Sequence, residues 1–365
     1  MKMKTCNKCI LTDAYPHLAF NEQGTCSMCA EQHVFKPYGE QFLLEILEKA
    51  KAKKGEYDVL VPLSGGKDST YILHLAVNVY KLKVLTMTFD NGFVSQVAHD
   101  NMEKAIRITG VKHIVCKPDT EVLRKIYRNM LLLSGDFCGA CGIPIKASMF
   151  KIARDYRIPI ILLGTSPLEE DSFLPDTTQD IERFKYIMKE AGNLTKKEIR
   201  DFLIYPNLNY FKLSVYKRLG KFPKEVCPLF YIPNPSDKEM GEIISKELGW
   251  MEEGAREYTK HFDCIAEQFT NYVRHHIYGY ERHICQYSTM VRRGEITREK
   301  AEALYHADHV GSKPANYNEI LSYLHITDDE MKKALSDVKP LKYEKHTSVA
   351  NKLFAQIMKL KQKKS

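Results

Sequence analysis

Apolar and polar positions divide the chain into two regimes. Between residues 57 and 163, short apolar runs alternate with longer segments of helical spacing. Val59, Leu60, Val61 and Leu63 form a run continuous enough for a strand buried on both faces. Lys83–Phe89 (KVLTMTF), His113–Lys117 and Ile158–Leu163 (IPIILL) read the same way. The segment from Ser69 (STYILHLAVNVY), and those at about 95–109, 119–133 and 145–156, space their apolar residues as helices packed on a sheet do. This alternation predicts an α/β fold built on a doubly wound parallel sheet. Ahead of it, residues 38–54 read as an amphipathic helix with a basic end, stopped at Lys54-Gly55. Beyond Pro233-Asn-Pro-Ser the pattern is helical throughout, at about 237–247, 252–276, 281–292, 297–305, 316–324 and 328–336. Thr297 and Asp328 are suited to helix starts there. Three regions follow: residues 1–35, a sheet domain over 36–232 and a helical region over 233–365.

The first predicted strand runs into Leu63-Ser64-Gly65-Gly66-Lys67-Asp68-Ser69-Thr70, where two glycines precede a lysine and the opening of a helix. Glycines at such a junction let backbone N–H groups turn toward an anion, and the helix adds its N-terminal amides and dipole. Lys67 adds a formal charge, so the stretch reads as a phosphate site. A Walker A loop requires four residues between its first glycine and Gly-Lys, and none stand there. SGGKDS instead resembles the PP-loop of the ATP pyrophosphatase superfamily. That resemblance implies cleavage of ATP between its α and β phosphates and adenylation of a substrate oxygen. It also implies that Thr88, Phe89, Asp90 and Asn91 cradle the adenosine and that Gly164 and Thr165 lie against the nucleotide. Ligands of such sheets bind at the carboxyl ends of strands, and three predicted ends meet that rule: 64–69, 90–92 and 164–166. Lys67, Asp68 and Asp171 are the catalytic candidates, with Mg²⁺ held by Asp68 or Asp171; Glu169 and Glu170 beside Asp171 keep that choice open.

The chain's 365 residues suffice for two or three domains with a large core. No apolar run is long enough to span a membrane, and the Met-Lys-Met-Lys start lacks a signal-peptide core, so a cytoplasmic location is expected. In a reducing compartment the ten cysteines point to metal rather than disulfides. Cys6-Asn-Lys-Cys9 and Cys26-Ser-Met-Cys29 have the spacing of a zinc ribbon, a closed four-thiolate shell with a structural role. The net charge of +8 and the lysines at 359, 361, 363 and 364 suit an anionic acceptor such as a nucleotide sugar or tRNA, or simply a solvated surface.

Cys138-Gly-Ala-Cys141-Gly142 and the later Cys227-Pro228 make a second cysteine set, one ligand short of a closed site. Three thiolates can hold a [4Fe–4S] cluster with one iron open, or zinc completed by Cys116, Cys264 or Cys285, and a redox pair or buried free thiols are the remaining alternatives. Here the chain resembles the cluster-dependent PP-loop tRNA thiolases. That resemblance implies Cys138, Cys141 and Cys227 as cluster ligands and sulfide as the incoming atom. Cys116, Cys264 and Cys285 sit singly in apolar surroundings and read as core.

Glu247-Leu-Gly-Trp250 and the run YGYERHICQYSTMVRRGEITREKAEAL, from Tyr278 to Leu304, resemble the C-terminal region of N-acetyl sugar amidotransferases. Those bacterial surface-polysaccharide enzymes also begin with paired cysteines and a PP-loop, and they receive ammonia from a separate glutaminase. The expected activity is therefore ATP-dependent thiolation of a substrate carbonyl with a sulfur donor, and the alternative reading is ATP-dependent amidotransfer with a glutaminase. A non-catalytic nucleic-acid-binding protein is a third, and a homodimer is open to any of them. Arg274, His275, His276, Arg282, His283, Arg292 and Arg293, interleaved with Tyr278, Tyr280 and Tyr287, suit either a phosphate-binding face or the polar side of a packed helix.

Overall fold

The structure, a computed structural model, describes residues 3–31, 35–167, 181–203, 222–233, 235–252 and 263–338. Five parallel strands form its centre: β1 (Val59–Pro62), β2 (Val84–Phe89), β3 (Lys112–Cys116), β4 (Ile160–Leu162) and β5 (Lys224–Val226). Their order across the sheet is β3-β2-β1-β4-β5, with Val59 in register with both Val84 and Ile160. The chain moves outward from β1 on one side and then returns to its other side, which makes the gap between β1 and β4 the switch point of a doubly wound sheet.

Strand side chains alternate between two cores. Val59, Val61, Val84, Ile160 and Leu162 face one, while Leu60, Leu85, Met87 and Ile161 face the other. Burial on both faces is why these strands read as unbroken apolar runs. The first core takes α2 (Glu40–Lys51), α3 (Lys67–His74) and α4 (Gln96–Thr109). The second takes α6 (Gly139–Asp155) through Met149, Phe150, Ile152 and Ala153. Helix α3 continues as a wider π turn over Leu75–Val79. Ser95 caps α4 by accepting from Ala98 N at 3.1 Å.

Past α5 (Thr120–Ser134) come α7 (Ile181–Ala191) and α8 (Lys196–Leu203), which the apolar periodicity does not predict, and β5 is likewise an addition. The apolar core runs on past Pro233. Helix α9 (Asp237–Leu248) lays Met240, Ile244 and Leu248 into the same core as β1, and Ser236 and Glu239 close a reciprocal capping box at its start. Five further helices, α10 (Glu267–Tyr278), α11 (Arg282–Arg292), α12 (Arg298–Ala307), α13 (Tyr317–Leu324) and α14 (Asp328–Asp337), complete the described chain. Helices α10, α13 and α14 share a core with α5 and α7, through Tyr127, Phe184, Phe269, Leu324 and Met331. No described helix is long and apolar enough to cross a membrane.

Residues 3–31, which include the short helix α1 (Ser27–Ala30), pack on this helical part. Cys6, Cys9, Ile10 and Leu11 share a core with Tyr280, Ile284, Tyr287 and Met290, and Arg298 Nε donates to the Cys9 carbonyl at 3.2 Å. The rings of Tyr15 and Tyr280 meet edge to face at 5.4 Å.

Candidate functional site

The end of β1 turns into α3 through Gly65 and Gly66. Gly65 has φ +79°, and a Cβ there would stand 2.2 Å from the Ala98 carbonyl oxygen, so only glycine fits. Ser69 Oγ lies 3.1 Å from both the Ser64 amide and the Ser64 hydroxyl, and Thr70 Oγ1 donates to Gly66 O at 2.8 Å. These bonds hold the turn open in the shape of an anion cradle at the first turn of α3. The neighbouring strands close on it. A Cβ on Gly164, just past β4, would meet the backbone of Asp68 and Ser69 at 3.1 Å, and Thr88 on β2 hydrogen-bonds the Leu63 carbonyl. The ends of β1, β2 and β4 therefore converge as the sequence implied. Asp90, next in line, lies 3.5 Å from Lys117 Nζ.

Lys67 is buried at the base of the loop, where its ammonium pairs with Asp237 and lies 3.7 Å from Asp68 Oδ1. Asp237 opens α9 and was not among the candidates, because nothing in the sequence brings position 237 to position 67. Two further partners escaped sequence reasoning. Trp250 Nε1 donates to the Gly65 carbonyl at 3.1 Å, and Asn101 Nδ2 reaches the same oxygen at 3.3 Å while donating to Met251 O at 2.8 Å. Asp263 Oδ2 stands 3.2 Å from where a Gly66 Cβ would lie, which adds a third carboxylate at the loop. The ELGW motif was the one available signal: its tryptophan is a strut of the phosphate loop. Asp171 lies outside the described residues.

The second cysteine set comes from two parts of the chain, the start of α6 and the turn after β5. Cys138 precedes α6 and Cys141 lies in its first turn, so the predicted helix at 145–156 starts earlier, at the cysteines, and carries Pro144 inside it. Cys141 Sγ accepts from Asn91 Nδ2 at 3.5 Å and contacts the Tyr127 hydroxyl, which sets it at the carboxyl end of β2. Asp136 holds this turn. It accepts from Gly139 N at 3.0 Å and pairs with buried Arg183 at 2.6 Å. Burial pushes the Cys138 thiol up and the Cys141 thiol up to about 12, so both stay protonated unless a cation displaces the proton. Cys264, expected as an isolated core residue, is instead a neighbour of this pair. Burial first, then the nearby thiols of Cys141 and Cys138, raise its pKa well above the ordinary value. Cys227 follows β5, which lies three strand spacings from β2, roughly 14 Å at about 4.8 Å each. Cys138 and Cys141 stand together at the start of α6, and Cys227 follows a different strand.

The first cysteine set is brought together. The Sγ atoms of Cys6, Cys9, Cys26 and Cys29 are buried and all within 4.8 Å of one another. Cys6 to Cys29 is 3.9 Å and Cys9 to Cys26 is 3.8 Å. A tetrahedral ion with thiolate bonds near 2.3 Å requires edges of about 3.8 Å, so the four fit one such ion. Hydrogen bonds from Cys26 and then Cys29 hold the Cys9 thiol below its ordinary range, while hydrogen bonds to Cys26 and then Cys9 push the Cys29 thiol up, so the four ionise together only around a cation. The basic stretch of α10 and α11 divides: Arg274 and His283 are buried, with the Arg274 guanidinium 4.6 Å from the Tyr278 ring centre, while Arg292 and Arg293 stay partly open to solvent.

Residues 255–361 match the family model "LPS biosynthesis protein WbpG-like, C-terminal domain". Over 242 residues the chain is 23% identical to a component of the glutamine-hydrolyzing GMP synthase of Saccharolobus islandicus, covering 62% of this chain and 59% of that protein. An uncharacterized protein of Methanocaldococcus jannaschii is 26% identical over 168 residues, or 44% of this chain and 58% of that one. The chain therefore spans somewhat under two thirds of the length of these relatives. Among solved structures, NMN synthetase from Francisella tularensis aligns over 59% of this chain and 86% of its own, with 16% identity and a TM-score of 0.32. The NH3-dependent NAD synthetase from Campylobacter jejuni aligns over 60% and 96%, with 15% identity and a TM-score of 0.30. The chain thus places SGGKDS at the switch point of a parallel sheet and, over residues 255–361, is similar to the WbpG-like C-terminal domain.

Proposed function

We propose that this chain is an ATP-dependent amidotransferase acting on a sugar of the surface-polysaccharide class, with ammonia supplied by a glutaminase partner. One observation carries the reading: the ELGW tryptophan that leads into the WbpG-like domain is hydrogen-bonded to the phosphate loop itself. A lipopolysaccharide-type C-terminal domain and an ATP loop joined so directly are parts of one site. The match to a component of a glutamine-hydrolyzing synthase supports nitrogen as the incoming atom and a separate protein as its source.

In this scheme ATP lays its phosphates along Ser64–Thr70, where Lys67 offsets the charge that builds as the α–β bond breaks. Leu63, Thr88, Phe89 and Asp90 border the adenosine side, and Gly164 and Thr165 close the opposite edge. Asp68 is the described carboxylate placed to hold Mg²⁺ with phosphate oxygens; Asp171 is proposed for the same role from sequence alone. A carbonyl oxygen of the acceptor attacks the α phosphorus and pyrophosphate leaves. Ammonia then adds to the activated carbon, a proton is lost, and AMP departs with the original oxygen to leave an amidine or amide. Zinc is proposed for the ribbon, where it shapes Cys6–Cys29 and takes no part in these steps.

Sulfur in place of nitrogen is the second reading, favoured by the position of Cys141 against Asn91 at a strand end. The two separate in one experiment. Incubation with ATP, an N-acetyl sugar nucleotide and either ¹⁵N-ammonia or ³⁴S-sulfide is expected to give AMP, pyrophosphate and a ¹⁵N-labelled product by mass spectrometry. ADP with orthophosphate would refute the loop assignment. A ³⁴S product from brown, anaerobically purified protein with about four irons per chain would replace amidotransfer by thiolation.

A further inference from the structure

A half-open pocket of about 490 Å³ lies between α10, α11, α12 and the loop at 308–315, a volume within the range of small-molecule sites. One wall is built of charge. His283 is almost fully buried between two carboxylates, with Nδ1 2.7 Å from Asp308 Oδ2 and Nε2 2.8 Å from Glu267 Oε1. Tyr287 donates to that same Asp308 oxygen at 2.7 Å, and Asn271 Nδ2 lies 3.2 Å from Glu267 Oε1. The Asp308 and Glu267 side chains are only 5% and 10% exposed. Desolvating two carboxylates is costly, and well-packed apolar residues would hold three helices together at least as well. Such a wall is explained by what it faces. Of the two carboxylates Asp308 reaches the pocket, where its charge disfavours phosphate and its oxygens take hydroxyl donors in charge-assisted bonds, with Glu267 set behind His283. Gln268, Ser312 and Lys313 line it with polar groups, and Leu304 offers an apolar surface to ring C–H groups. Those are the features of a site for a neutral polyhydroxylated ring.

The cavity is also well placed. Helix α10 starts just after Ile265, whose N–H donates to Phe93 O at 2.9 Å and whose carbonyl accepts from Asn316 at 2.6 Å. That ties the wall to the loop following β2, at the end of the sheet that carries the phosphate loop. We infer that this cavity is a saccharide site, which holds the pyranose ring of the acceptor. Only the sugar's role as acceptor rests on the amidotransferase reading; its recognition rests on the cavity.

The test uses the full chain and N-acetylglucosamine as probe, read by saturation-transfer NMR. Wild-type protein is expected to bind it, and Asp308→Asn is expected to weaken binding at least tenfold. Ala307→Trp, an exposed position on the cavity rim, is expected to block binding by bulk, with melting temperature and ATP affinity unchanged. No signal from wild-type protein, or equal signals from wild type and a folded Ala307→Trp, would overturn the proposal. Sugar binding lost in both variants without any labelled amide would keep the site and discard the amidotransferase reading. Undiminished amide formation by Ala307→Trp would keep that reading and discard the site.

Discussion

Replacing Lys67 by Ala is expected to reduce pyrophosphate release by a factor of about 10² to 10³ or more, on the scale of losing one preorganised transition-state contact. The lysine is buried against the loop, and its departure leaves Asp237 and Asp68 facing the phosphates with their charge uncompensated. Affinity for ATP should therefore fall along with turnover. Stability should hold, because both carboxylates are partly open to water, at 44% and 39%, and can turn toward it. Asp237→Asn is the informative companion: it keeps the cation, removes a competitor for it, and is expected to tighten ATP binding. Steady-state pyrophosphate assays and ATP titration of the three proteins check both statements. A Lys67→Ala protein with unchanged turnover would remove Lys67 from the chemistry. Arginine at 67 should rescue poorly, since a planar fork does not replace a compact ammonium in so enclosed a place.

Removing the metal proposed for the N-terminal ribbon, or making Cys26→Ser, is expected to unfold residues 3–31 and to loosen α11 and α12 beneath them. Structural thiolate sites contribute about 10–16 kcal/mol of apparent binding energy at neutral pH, more than a domain's whole net stability. Little else holds this segment. Its described secondary structure is one four-residue helix and two isolated bridges, while its four thiols form the centre of its apolar contacts with Tyr280, Ile284 and Tyr287. Wild-type protein should carry one ribbon metal per chain by elemental analysis. Chelation should lower the melting temperature and weaken sugar binding before ATP binding, because the phosphate loop is braced by α9 and Trp250 rather than by the ribbon. A ribbon variant that melts with wild-type behaviour would contradict this coupling.

The sheet was legible because parallel strands covered on both faces leave a pattern that no other element copies, and β2 and β3 fall within a residue of their expected bounds. Strand β5 was not, since three residues with two exposed side chains give no periodic signal. The phosphate loop was legible from six consecutive residues, because glycine, lysine and hydroxyl placement there is local geometry. Asp237, Asn101, Trp250 and Asp263 reach the same loop from distant parts of the chain. Tertiary approach of that kind leaves no trace in spacing. The four-thiolate site read correctly for the opposite reason, as each C-x-x-C closes its own turn. The Cys138 set shows the limit: the local pair stands as expected, while nothing in the spacing marks Cys264 as a further thiol beside it.

The single tryptophan of this chain is 4% exposed and has its indole N–H on the Gly65 carbonyl. Any shift of that peptide as a triphosphate settles into the loop alters the field and the hydrogen bond at the only indole present. The protein therefore contains its own optical gauge of nucleotide arrival, readable by ultraviolet emission without dye, label or product.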